Sequence, residues 1–185
     1  TNGELAPDDI RMNNNELPCL MDIVEVETQG EARHAYQKEN FFGAEKRPWI
    51  WQWKLPDAAL TKLLDSPDSL WQDGFSSTNG LNDRVPEIVV ENAIPSLYLI
   101  RPENLTILVT DDLYGRKKVN ARFTYREVSY LLSVTDMVIE REYLMKPQGE
   151  YPQNSKKIYL TISLGEPFNG FCYKLVAAVM IHNED

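Results

Sequence analysis

The stretch Ile158–Ile181, IYLTISLGEPFNGFCYKLVAAVMI, decides the fold. Ile158, Leu160, Ile162 and Leu164 alternate with Tyr159, Thr161 and Ser163. A period of two puts the aliphatic set on one face of a β-strand and the polar set on the other. The chain then turns between Gly165 and Gly170, with Glu166 and Pro167 inside the turn. Phe171 to Ile181 returns as a second strand. One reading pairs Glu166 with Lys174 to pin the turn. The other has the loop backbone and Lys174 line a ligand groove.

The same pattern extends upstream to Pro86. Ser96–Arg101, Leu105–Thr110, Val119–Tyr125 and Val128–Val134 read as strands, with Asp111–Arg116 as a turn. Arg126-Glu127 fits a tight connection, although neither residue favours the positive φ of the common hairpin turns. Thr135 and Asp136 end a strand, where Asp136 makes an Asx-type turn or else anchors a ligand or a buried Arg. Met145–Ser155, with two Pro, a Gly and an Asn, is a loop. Short strands with turn signals every eight to twelve residues describe a β-sandwich or barrel.

The first half is less regular. Residues 1–16 read as loop and Leu17–Glu27 as a strand with one wet face. Trp49, Trp51 and Trp53 alternate, so they share one side of a strand, either over a core or as a stacking platform. Pro56-Asp57 opens the one expected helix, around 57–65, with Asp57 as cap and Leu60, Leu63 and Leu64 on one face. Residues 73–85 read as a linker or mobile loop. The expected organisation is an N-terminal part, 1–85, and a C-terminal barrel, 86–185.

The chain has 185 residues and a net charge of −9. Residues 1–100 hold 8 basic and 17 acidic side chains, whereas residues 101–185 hold 11 of each. The acidity counts against a general nucleic-acid surface, but it leaves room for a local basic strip in the second half. The longest apolar run, Leu175–Ile181, is far below the ~20 residues of a membrane span. The polar start carries no signal-peptide pattern. Cys19 and Cys172 read as two buried, reduced thiols, which places the protein in the cytoplasm; a single bridge is the alternative.

Several strings resemble a known family. SLYLIRPENLTILV, FTYREVSYLLSVTD and SLGEPFNGFCYKLVAAVM, together with DDIRMNNNELPCLMDIVEVE and HAYQKENFF, are similar to the dual OB-fold domain of bacterial proteins. The resemblance implies a mainly β chain of two tandem, small, OB-like antiparallel barrels. It also implies that the first barrel lacks its opening strands here, and it implies a nucleic-acid-binding role in a prokaryotic conflict or defence setting. It brings no catalytic residues with it.

Chemistry of other kinds finds little footing. His34, His182 and the two cysteines are too scattered for a metal site, and no cofactor is expected. LGEPFNG lacks the Lys and helix of a phosphate loop. The expected function is non-enzymatic binding of single-stranded nucleic acid. Lys117, Lys118, Arg122, Tyr125, Arg126 and Lys174 are the contacts, and Asp136, Gly165, Glu166, Pro167 and Gly170 are turn and loop residues. The alternative is a protein-interaction module completed by a partner chain or by a missing N-terminal segment.

Overall fold

A computed structural model describes residues 6–32, 37–44, 47–90, 95–112, 114–155 and 157–182. The chain divides into two compact units, residues 1–63 and 64–185. In the first, β1 (Asp22–Glu25) pairs antiparallel with β4 (Ile50–Lys54), and β2 (Thr28–Glu31) with β3 (Phe41–Gly43). Trp53 stands opposite Ile23 and Trp51 opposite Val24, with a bulge between the two pairs. Trp49 lies before β4 and bridges Met12. Trp51 and Trp53 are exposed, so they do not cover a core. Helix α1 is a single turn, Asp57–Leu60. Pro56, whose ring has no acceptor to offer, takes the N-cap position, Asp57 lies in the first turn, and the helix ends well short of 65.

The second unit contains β5 (Arg84–Pro86), α2 (Glu87–Val90), β6 (Leu97–Ile100), β7 (Asn104–Asp111), β8 (Lys117–Tyr125), β9 (Val128–Val134), α3 (Met137–Leu144), β10 (Gly149–Pro152), β11 (Lys157–Phe168) and β12 (Phe171–His182). They form one sheet in the order β10-β7-β8-β9-β12-β11-β6, with β5 also on β12. All its pairings are antiparallel except β9 with β12. β6 and β7 are two halves of one stretch, separated at Arg101–Glu103. The first half pairs with β11 and the second with β8. The run β8-β9-β12-β11 is thus bonded at both ends to the same piece of chain, as a curled OB-type sheet requires.

Alternation fills the interior as the sequence predicts. Leu105, Ile107 and Val109 of β7 meet Val119, Ala121, Phe123 and Tyr125 of β8 and Tyr130, Leu132 and Val134 of β9. Ile158, Leu160 and Ile162 of β11 and Val176 and Val179 of β12 complete the set. Burial of each large aliphatic side chain is worth roughly 1.5–3 kcal/mol. Phe123 stacks on Tyr130 with centroids 5.2 Å apart. α3 packs Ile139, Tyr143 and Leu144 against this core. It was not expected from the sequence, where Asp136 was read as a turn residue.

Residues 64–85 fold with the strands of the second unit and not as a linker. β9 and β12 pair over Ser133–Val134 and Leu175–Val176 alone. Beyond that contact the two strands are bridged by other chain: Leu81 bonds to Leu131 in both directions, and β5 pairs with Phe171–Tyr173. The Asp83 carboxylate ties the loop together, accepting from the Ser77 backbone N–H at 2.7 Å and the Ser77 hydroxyl at 2.5 Å.

Lys174 locks this segment in place. It lies on the inward face of β12 between Cys172 and Val176 and is 1% exposed. Its Nζ donates to the Gln72 carbonyl at 2.8 Å and to Asp73 Oδ1 at 3.1 Å. The Tyr130 hydroxyl donates to the same Asp73 oxygen at 2.7 Å. Burial pushes the Lys174 ammonium down, while the Asp73 charge pulls against that shift. Burial and the adjacent Asp73 both push the Tyr130 phenol up. Among the described residues no helix is long and apolar enough to cross a membrane.

The two cysteines differ. Cys172 is buried, and burial, reinforced by Glu87 and Glu166, pushes its thiol up to about 11. Cys19 is free as well but exposed, contrary to the expected pair of buried thiols, because it precedes β1 in a loop. Iodoacetamide at pH 8 is therefore expected to label one thiol of the folded protein and the second only after denaturation; mass spectrometry reads the count. Lys174→Ala strands Asp73 beside Tyr130 and should cost about 3 kcal/mol, the low end for breaking a buried pair, because Asp73 partly reaches solvent. Urea unfolding measures this, and an unchanged midpoint at the same m-value would refute the role given to the pair.

Candidate functional site

The outer face of β8 and β9 is the polar counterpart of the core just described. Lys118, Arg122 and Thr124 alternate with the buried Val119, Ala121, Phe123 and Tyr125 of β8, while Asn120 on the same side is buried; Ser129, Leu131 and Ser133 alternate with the buried residues of β9. β8 is nine residues long, so the face extends for about 27 Å at the usual strand rise. Asn104 Nδ2 donates to Thr124 Oγ1 at 3.1 Å across the β7–β8 ladder.

Two connections bracket this face. Residues 112–116 join β7 to β8 at the Lys117 end. The Asp112 carboxylate shapes them, accepting from the backbone N–H of Tyr114 and Arg116 and from Arg116 Nε at 2.8–2.9 Å. These bonds, the Arg116 N–H first, hold Asp112 below the usual carboxylate range. Tyr114 is 82% exposed, with the Arg116 guanidinium 5.5 Å from its ring. The second connection is the β11–β12 turn. β12 runs parallel to β9, so this turn sits at the end of the sheet where β9 begins. Phe168 beside it is 63% exposed.

The turn is smaller than expected. Asn169 and Gly170, both with positive φ, form it alone. Gly165, Glu166 and Pro167 belong to β11, where the register shifts between Leu164 and Pro167. A bulge tolerates a proline because the ladder is already interrupted there. Glu166 does not pin the turn through Lys174, whose ammonium is bonded to Asp73 and Gln72.

The residues expected to touch a ligand separate into three groups. Tyr125 and Lys174 face inward and are corrections. Tyr125 is 7% exposed and its hydroxyl donates to the Pro67 carbonyl at 3.0 Å; Lys174 is deeper still. Lys117 is exposed, but its ammonium donates to the Leu144 and Lys146 carbonyls at the C-terminus of α3, where a cation complements the helix end. Lys118 and Arg122 lie on the outer side of β8, whereas Arg126 lies in the turn after it and reaches the 66–68 segment that also receives the Tyr125 hydroxyl. Arg122 makes a bidentate pair with Glu150 of β10 at 3.0 and 2.5 Å. Arg126 and Glu127 both take positive φ in the β8–β9 turn, and Arg126 donates to Asp68 Oδ1 at 3.1 Å and to the Ser66 carbonyl at 3.0 Å.

Asp136 is structural, and by a richer device than a turn. It caps α3, accepting from the N–H of Val138 and Ile139, and its other oxygen accepts from Val179 N–H of β12 at 2.9 Å. Tyr114, Arg116, Phe168 and Glu150 were not singled out from sequence. Tyr114-Gly115-Arg116 in a strand-joining turn was the available signal; nothing local announces that Glu150 reaches Arg122. Among the described residues no group of three or more His, Cys, Asp or Glu is gathered as a metal site needs.

A polar, hydrogen-bonding face between two loops that each present an exposed aromatic ring is the part of an OB barrel that serves binding. No curated protein and no solved structure matches the chain. A family model, the dual OB-containing domain, matches residues 1–179, and the chain belongs to that family.

Proposed function

We propose that the chain is a non-enzymatic module that binds single-stranded nucleic acid across the outer face of β8 and β9. The observation that carries this reading is the outer side of β8, which bears Lys118 and Arg122, together with the exposed Tyr114 and Phe168 in or beside connections at opposite ends of the sheet. A strand laid across the face stacks bases on the two rings and runs its backbone past the cations. Base–aromatic stacking supplies roughly 1–3 kcal/mol per base, and OB folds of this size take roughly 4–16 nucleotides. The net charge of −9 weakens long-range attraction. At physiological salt, charges more than about 8 Å away are largely screened, so the local face decides. The cytoplasmic, prokaryotic conflict or defence setting implied by the resemblance is part of this proposal.

Fluorescence anisotropy with oligothymidylate and oligouridylate tests it at two salt concentrations. With Arg116 and Lys118 as the cations held by neither Glu150 nor Asp68, log Kobs should fall against log salt with a slope of about −1 to −2. Tyr114→Ala and Phe168→Ala should each weaken binding by about fivefold or more while leaving the slope near its original value, since neither carries charge. Absent or salt-independent binding rejects the reading.

A second reading has its own observation. Phe41, Phe42, Trp51 and Trp53 of the first unit are all exposed. Large exposed aromatics are enriched at protein interfaces. On this reading the first unit docks a protein partner, and light scattering should find a complex or oligomer that Trp53→Ser disrupts. A clean monomer for the wild-type protein counts against it.

A further inference from the structure

We propose that Glu150 and Asp68 are resident substitutes for a ligand's phosphates: two carboxylates that hold Arg122 and Arg126 ready and must be displaced before a polyanion binds. This rests on the nucleic-acid reading of the β8–β9 face and concerns how that face selects its ligand.

Both carboxylates come from outside the curled frame. Glu150 belongs to β10, an extra edge strand in the connection between α3 and β11. Asp68 belongs to the segment that precedes β6. Each reaches one arginine of β8 or its turn. The Arg122–Glu150 pair is a parallel fork, the arrangement with which a guanidinium takes either a carboxylate or a phosphate. The Ser66 carbonyl gives Arg126 a second acceptor, so its guanidinium keeps its aim when Asp68 leaves.

The pairs are strong in geometry and weak in energy. All four side chains are exposed, and exposed ion pairs are worth roughly 0–1 kcal/mol. A phosphate therefore competes readily with either carboxylate. Arg122 lies on β8 and Arg126 in the turn after it, and each has its own carboxylate partner, so they hold two separate anions. A ligand with one phosphate frees one arginine and still faces the other carboxylate. A strand displaces both, which makes the face selective for chains of phosphates over single ones.

The test uses the full chain with Glu150→Gln, Asp68→Asn and the double variant, and an oligothymidylate as probe. Each single variant should tighten binding about two- to fivefold, the fold-change that a ~0.4–1 kcal/mol pair corresponds to. Each should also steepen the salt slope by about 0.7, one released cation on a single strand. Glu142→Gln is the control: it removes the same charge from α3 and frees Lys146 just past that helix, pairs with neither arginine, and should change neither quantity. An equal gain from Glu142→Gln means that overall charge is responsible and overturns the proposal. Wild-type binding with no gain in Glu150→Gln or Asp68→Asn overturns it while sparing the nucleic-acid reading. No binding by the wild type overturns both the proposal and the reading it rests on.

Discussion

The second unit depends on one oxygen of Asp73. It accepts from the Lys174 ammonium on β12 and from the Tyr130 hydroxyl on β9. Those two strands touch each other along two residue pairs only. A curled sheet in which β9 and β12 part so quickly has an open seam, and residues 64–86 close it. Leu70 and Val85 are driven into that seam with no exposure at all. A lysine among such residues is expensive unless its charge is met, and removing one partner of such a pair costs more than the pair is worth. The arrangement therefore works as a lock on where the segment lies, with the aliphatic contacts supplying the stabilisation.

The same segment explains the charge asymmetry. Residues 64–100 hold six acidic side chains and one basic. Much of that acidity is consumed inside the second unit. Asp65 accepts from the Leu99 N–H, Asp68 meets Arg126, Asp73 meets Lys174, and Asp83 holds its own loop. The balanced charge of residues 101–185 thus overstates the cations left for a ligand. What remains on the outer face is close to neutral, with arginines already oriented by carboxylates. Such a face has little long-range pull.

Much of the β architecture was legible because strands report locally. Val119, Ala121, Phe123 and Tyr125 alternate with Lys118, Arg122 and Thr124, and that pattern alone sets which side is wet. Lys174 was misjudged because lysines are rarely buried, although Cys172 and Val176 at two residues on either side place it on the inward face. α3 was overlooked because Asp136 ends a strand as readily as it starts a helix; the spacing of Ile139 and Tyr143 distinguishes the two, since residues four apart share a helical face. Gly165 and Pro167 drew the turn too wide, whereas the Asn169-Gly170 dipeptide is the stronger hairpin signal. The partners of Arg122 and Arg126 were not readable at all. Each lies 28 or 58 residues away, and pairing over such distances is settled by the sheet's register and not by any local pattern.

Pro102 turns that register into a closed frame. A proline cannot donate to a ladder, so a strand that runs through it must stop pairing on that side. Here the interruption separates β6 from β7, and each half is free to pair with a different neighbour, β11 and β8 respectively. The edges this creates are both covered. Asp65 bonds to Leu99 of β6 through its backbone N–H and its carboxylate, and β10 lies along β7. Covered edges do not recruit other strands. The cover on β7 is also the strand that carries Glu150 to Arg122, so the element that protects the sheet edge is the one that conditions the face beside it.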